Sequence, residues 1–193
     1  MNHTPQIKKA IQFAARKHHG QFRIADSADR PLPYVTHLFS VALLVAEDGT
    51  DDEIVIAALL HDTLEETDTT REELAAAFGE RVAALVEAVS ETRKKDGQPL
   101  DWKSRKEDYL ARLESASDAA VLIALADKID NIESRIEGFE KQGGLFLGHW
   151  KQPNEAYLWF HGEAVRIAQK RLPGHPLTRR LQEARAKELE IFA

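Results

Sequence analysis

Apolar positions recur at three- and four-residue spacing along most of the chain, the period of a helix with one face in a core. Thr4-Pro5 reads as an N-cap followed by proline at the first helical position. Ile7, Ile11, Ala14 and Ala15 form the stripe behind it, and Gly20 stops the helix. The breakers Asp26, Ser27, Asp29, Pro31 and Pro33 predict a loop over 21–33. Leu38, Val41, Ala42 and Val45 predict a second helix over 34–47. Asp51 caps a third over 52–62, whose run from position 54 to 60 is apolar nearly all round, as in a helix buried in the middle of a bundle. Thr70-Arg71-Glu72-Glu73 is a capping box that opens a short helix to Phe78. After Gly79 the pattern resumes over 80–91. The polar stretch 92–101, with Gly97 and Pro99, predicts a loop. Further helices are predicted over 102–114, 118–137, 154–171 and 176–190. The stretch 141–153, rich in glycine and aromatic residues, reads as a loop and a candidate wall for a ligand site. No hairpin, repeat or low-complexity signal stands out. The pattern predicts an all-α chain, 1–193 as a single domain, with about eight or nine helices.

Composition narrows the function classes. Lys plus Arg is 26 and Asp plus Glu is 32, a formal net charge of −6. That balance argues against a duplex nucleic-acid binder but leaves room for a locally basic site for a small anion. The chain has no cysteine. Disulfide scaffolds, thiolate zinc sites, iron–sulfur clusters and cysteine nucleophiles are therefore excluded. No run approaches the about 18 apolar residues that span a bilayer. The first residues carry no apolar signal-type run. The expectation is a cytoplasmic protein with no membrane partner.

The chemistry concentrates at Leu59-Leu60-His61-Asp62-Thr63-Leu64-Glu65-Glu66-Thr67, where a hydrophobic helix ends in ligand-type groups. On a continuous helix His61 lies over Glu65 and Asp62 over Glu66. The side chains of His61 and Asp62 diverge by about 100° there, and can still chelate one ion placed off the helix end. Imidazole with carboxylate suits Mn, Fe, Zn or Co better than Ca. A solvated helix end is the bland alternative. His37 opens an otherwise apolar helix, where a satisfied core histidine is the ordinary reading. Asp127 interrupts the apolar run 123–129, and a carboxylate there is costly to bury unless it is paired or ligates a metal. Asn131 follows on the same face. Taken together, three interrupted apolar helices read as one metal site in a bundle core.

The words around these residues resemble a known family. His37 … His61-Asp62 … Asp127 is similar to the ligand order of the HD-domain metal-dependent phosphohydrolases. His19-Gly20-Gln21-Phe22-Arg23, Pro33-Tyr34-Val35-Thr36-His37, the stretch 58–67, Phe78-Gly79 and Leu125-Ala126-Asp127-Lys128-Ile129-Asp130-Asn131 resemble the hydrolase domain of RelA/SpoT proteins. The likeness runs from about 7 to 172, and is greatest to the stand-alone small alarmone hydrolases. It implies an HD-type helical bundle in which His37, His61, Asp62 and Asp127 hold one divalent ion, commonly Mn²⁺. It implies Glu65 and Glu66 beside the attacking water, Arg23 and Asn131 near the nucleotide, and Tyr157 packed against it. The implied reaction is attack of water on the inner phosphorus of a ribose 3′-pyrophosphate in ppGpp or ppApp, with release of pyrophosphate.

Positive groups must then face the phosphoryl oxygens, with Arg23, Lys128 and the cluster Lys103, Arg105 and Lys106 as candidates. For that cluster a solvated helix face is the alternative. Three features depart from the family: Ile24 stands where lysine is frequent, the loop from Ile24 to Leu32 is longer than usual, and the acidic pair is Glu-Glu rather than Glu-Asp. The first leaves the choice between guanosine and adenosine open. Two other readings keep the fold: a phosphohydrolase of another nucleotide such as a 5′-monophosphate, or a catalytically silent nucleotide-binding module. His18, His149, His161 and His175 read as surface or packing residues, and Trp102, Trp150 and Trp159 as core or loop anchors, with Trp150 also a candidate for the site wall. The helix over 176–190 caps the bundle or joins a homodimer.

Overall fold

Local capping sets the helix starts. In the computed structural model, which describes residues 4–23, 32–47, 49–95 and 97–193, the Thr4 hydroxyl accepts from the Ile7 amide and opens α1 (Pro5–Lys17). Asp51 accepts from Ile54 and opens α3 (Asp52–Leu60), and Thr70 accepts from Glu73 and opens α5 (Arg71–Phe78). Only half of the capping box forms, because the Glu73 carboxylate turns to Lys17 at 3.1 Å. Asp101 and Ser117 cap α7 (Trp102–Ser115) and α8 (Asp118–Gln142) in the same way. The remaining helices are α2 (Val35–Ala46), α4 (Thr63–Glu66), α6 (Glu80–Val89), α9 (Gly144–Leu147), α10 (Asn154–Arg171) and α11 (Pro176–Phe192). Two of these, α4 and α9, are single turns, which leaves nine longer helices among the described residues.

The helix α3 is the centre of the bundle. All of its residues from Ile54 to Leu60 are buried, and it packs on α1, α2, α6 and α8. The C-terminal α11 lies along α8 and α10. No helix of the described residues is long and apolar enough to cross a membrane.

Three expectations need correction. The stretch 92–101 contains a short antiparallel ladder of β1 (Lys94–Lys95) and β2 (Gln98–Pro99), not a plain loop. Its signal was present in the sequence as Asp96-Gly97, a dipeptide favoured in two-residue hairpin loops. The predicted loop over 21–33 has paired flanks: a bridge joins Phe22 and Pro33, and the Arg23 amide donates to the Leu32 carbonyl at 2.9 Å. Ile24 and the rest of that segment to position 31 lie outside the described residues. Finally, α8 runs past Gly138 to Gln142.

The reason for the longer helix is that Gly138 is a packing residue and Gly143, with φ +60°, is the stop. A Cβ at Gly138 would lie 2.3 Å from the ring of Phe146, which is fully buried. Gly138→Ala gains about 1 kcal/mol of helix propensity. Against that, overpacking costs about 1–3 kcal/mol, and Phe146 has no free space to retreat into. A lower urea midpoint is expected for Gly138→Ala, with recovery in the Gly138→Ala, Phe146→Leu double variant.

Candidate metal centre

The end of α3 is built to bring two adjacent ligands to one point. A helix continuing to position 62 would splay His61 and Asp62 apart. Instead the Thr63 hydroxyl donates to the Leu60 carbonyl at 2.6 Å, and His61 Nδ1 bonds the Ala58 carbonyl at 2.9 Å. Side chains thus take carbonyls that the helix would use, and it stops at Leu60. After this break both side chains face the start of α2 and the middle of α8.

His37, His61 and Asp127 each offer a ligand atom, all within 4.8 Å of one another. His37 Nε2 lies 3.2 Å from Asp127 Oδ1 and 3.5 Å from Asp62 Oδ2. His61 Nε2 lies 3.3 Å from Asp62 Oδ2 and 3.7 Å from Asp127 Oδ1. Neighbouring ligand atoms at about 2.1 Å from one ion sit roughly 3.0–3.4 Å apart; the separations of 3.2 and 3.3 Å fall in that range and those of 3.5 and 3.7 Å just above it. The buried His61 Nε2 has no hydrogen-bond partner, as expected of an atom kept for a metal. The other ring nitrogens are occupied: His61 Nδ1 by Ala58, and His37 Nδ1 by Asp130 Oδ2 at 2.6 Å. A carboxylate behind a ligating imidazole fixes its orientation and raises its basicity. Arg23 Nη1 holds the same Asp130 oxygen at 2.5 Å, and the Tyr34 hydroxyl donates to Asp62 Oδ2 at 2.5 Å.

Charge is dense here. Burial opposes charging of His61, but Asp62 and Asp127 outweigh it and hold the imidazole up at about 9. His37 is raised too, as hydrogen bonds to Asp127 and Asp130 outweigh its burial. In the metal-free protein His61 therefore carries a proton at neutral pH, and an incoming cation must expel it. Raised imidazole pKa values mean that this competition fades as pH rises towards 9. Metal affinity is expected to climb by up to about tenfold per pH unit for each proton displaced. Titration calorimetry with Mn²⁺ at pH 6.5 and 8.5 in two buffers of different ionisation enthalpy checks this; a pH-independent Kd would contradict it.

The acidic pair divides. Glu65 lines the metal pocket, and its Oε1 accepts the Glu91 amide at 2.9 Å. Burial first, then the charges of Asp62 and Glu91, push its carboxyl up to about 7. Glu66 turns outward, pairs with Arg93 and lines the neighbouring cavity. The helical offset of the pair survives the break, since the Glu66 amide donates to the Asp62 carbonyl at 2.9 Å, and the two carboxylates still go to different cavities.

Three cavities meet at Asn131. The metal pocket, about 130 Å³, also holds Lys106, Lys128 and Tyr109. An outer cavity of about 510 Å³ is lined by Arg23, Tyr34, Glu66, Arg135 and Trp150. A side cavity of about 170 Å³ is lined by Lys106, Lys128, Trp150, Tyr157 and His161. Asn131 Nδ2 donates to Asp127 Oδ1 at 2.6 Å, and Lys128 pairs with the other Asp127 oxygen. Lys106 pairs with Glu91, and so does Arg105, at 3.2 Å.

The structure does not bring Lys103 to this place. It sits in the first turn of α7 over the ring of Trp159, beside a separate groove, while Lys106 one turn on reaches the pocket. His18 and His161 are buried, the first stacked on Tyr34. Sequence reasoning missed Asp130, Tyr34, Glu91 and Arg93. Asp130 was findable, three residues after Asp127 on the same helix face.

Known proteins resemble this chain in sequence and fold. A family model described as HD domain matches residues 10–142. The guanosine-3′,5′-bis(diphosphate) 3′-pyrophosphohydrolase of Aquifex aeolicus is 43% identical over 135 residues, 68% of this chain and 18% of that protein. The guanosine-3′,5′-bis(diphosphate) 3′-pyrophosphohydrolase MESH1 of Danio rerio is 38% identical over 131 residues, 67% of this chain and 68% of that protein. The chain thus spans under a fifth of the first relative and about two thirds of the second. The solved structure of a metazoan SpoT ortholog that hydrolyzes ppGpp covers 97% of both chains, with a TM-score of 0.80 and 27% identity.

Proposed function

This chain belongs to the HD-domain family, and we propose that it hydrolyses the 3′-pyrophosphate of an alarmone nucleotide, ppGpp or ppApp, releasing pyrophosphate. One observation carries the reading: the donor atoms of His37, His61, Asp62 and Asp127 converge, with Glu65 in the same pocket, beside a cavity large enough for a nucleoside. These four residues would hold one divalent ion, Mn²⁺. When bound, it supplies a Lewis acid and a water of lowered pKa.

The rest of the chemistry falls to the chain's own groups. Glu65 orients the attacking water and takes its proton. The water oxygen bonds to the inner phosphorus, the bond from phosphorus to the ribose 3′-oxygen breaks, and that oxygen takes up a proton. The water's oxygen leaves in pyrophosphate. Lys128 and Lys106 face the phosphoryl oxygens as charge shifts onto them. Asn131 stands at the junction of the cavities, where ribose meets phosphate. Arg23 and Tyr157 line the walls beyond it, and Arg23 also secures Asp130 behind His37. Arg105 acts only through Glu91.

The test is a panel of ppGpp, ppApp and guanosine 5′-monophosphate with Mn²⁺, followed by pyrophosphate and phosphate release. Release of pyrophosphate from a 3′-pyrophosphorylated nucleotide is expected. Turnover of the 5′-monophosphate alone would reassign the substrate.

A further inference from the structure

The C-terminal helix reaches the wall of the outer cavity through a charged pair that nothing in the hydrolytic chemistry requires. Arg135 and Glu188 are both 0% exposed, and Arg135 Nη1 donates to Glu188 Oε1 at 2.9 Å. Asp127, Asn131 and Arg135 are spaced four apart on α8, so they follow one another along the face that carries the metal pocket. Arg135 lies among the rings of Phe192, Tyr157 and Trp150, at 4.1, 5.1 and 5.2 Å. Its Nη2 donates to Asn154 Oδ1 at 2.6 Å, at the start of α10. Glu188 also accepts from His161 Nδ1 at 2.7 Å and from Arg185 at 2.9 Å.

One carboxylate on α11 therefore fixes a residue in each of two cavities, Arg135 in the outer one and His161 in the side one. Trp150, the ring on which Arg135 rests, lines both. Removing one partner of such a pair leaves a buried charge uncompensated, so the neighbouring side chains must rearrange.

We infer that Glu188 and Arg135 are positioning residues that hold the Trp150–Tyr157 wall for the nucleoside end of the substrate. This rests on the proposed function for the identity of the substrate. The pocket of about 130 Å³ at the metal ligands takes the reacting phosphoryl group, and the aromatic wall borders the two cavities beside it, Trp150 in the one of about 510 Å³ and Trp150 with Tyr157 in the one of about 170 Å³. Aromatic faces there offer a stacking surface for a base.

The experiment compares Arg135→Met, Arg135→Lys and Glu188→Gln with Leu181→Ala, which opens a hole at a buried position of α11 away from this pair. Steady-state kinetics with ppGpp, inhibition by pyrophosphate and calorimetric GDP binding are measured on the full chain. Arg135→Met and Glu188→Gln are expected to raise KM and weaken GDP binding by at least about tenfold, with kcat within about threefold. Inhibition by pyrophosphate is expected to be unchanged. Arg135→Lys, which keeps the charge for Glu188, is expected to fall between wild type and Arg135→Met. Leu181→Ala is expected to lower Tm and leave KM in place.

Unchanged GDP binding in Arg135→Lys and Glu188→Gln overturns the inference, as does Leu181→Ala raising KM equally. So does a wild-type protein that binds no GDP. A wild type that binds GDP but does not turn over ppGpp counts against the proposed reaction alone, and the variants' GDP affinities still decide the role of the pair.

Discussion

His61→Ala is expected to lower pyrophosphate release by at least about 10³-fold and to abolish metal binding, because on the proposed reading the ion would be the source of the nucleophile. The same is expected of Asp62→Ala. His61 Nε2 lies 3.3 Å from Asp62 Oδ2 and 3.7 Å from Asp127 Oδ1, and Asp62 Oδ2 lies 3.5 Å from His37 Nε2, so loss of either residue opens the coordination shell. The fold should survive His61→Ala. His61 sits past the last residue of α3, and the core residues from Ile54 to Leu60 do not depend on it for burial. Metal content by plasma emission and the far-UV spectrum separate loss of the ion from loss of the protein. A His61→Ala protein that keeps its metal and its rate would remove His61 from the site.

Glu65→Gln is expected to lower kcat by about 10²- to 10⁴-fold, the usual span for a general base, while metal content and KM stay near wild type. Glu66→Gln should cost under about tenfold, since its carboxylate faces Arg93 and the outer cavity. The two residues are neighbours of one type, so the contrast between them isolates position from chemistry. Because burial and the charges of Asp62 and Glu91 raise the Glu65 carboxyl, the base is lost by protonation as pH falls. At saturating Mn²⁺ the wild-type rate should decline on the acid side, and Glu65→Gln should lack that decline. Equal losses in both variants would mean that neither carboxylate is the base.

Much of this was legible in the sequence. Helix starts were readable wherever a side chain makes the cap, as at Thr4, Asp51 and Thr70. The buried centre was readable from seven consecutive apolar positions in α3. His37, His61, Asp62 and Asp127 stood out as ligand-type groups at or beside apolar helices, where each needs a partner, and it was the family resemblance that joined them into one candidate ligand set. What escaped notice depends on tertiary contact. Gly138 looks like a stop until Phe146 is seen filling the space above it. Glu91 serves the site by donating its backbone amide to Glu65 and accepting from Lys106 with its carboxylate, and a residue type does not reveal an amide's partner. Arg135 and Glu188 are 53 positions apart, and on paper each reads as a surface charge. Lys103 and Lys106 are indistinguishable in composition; one helical turn decides which of them enters the pocket.

The most direct check of the central claim is anomalous diffraction at the manganese edge from crystals soaked in Mn²⁺. The expected result is one strong peak about 2.0–2.3 Å from His37 Nε2, His61 Nε2 and a carboxylate oxygen of each of Asp62 and Asp127. No peak there, or a peak that leaves out either histidine, would contradict it.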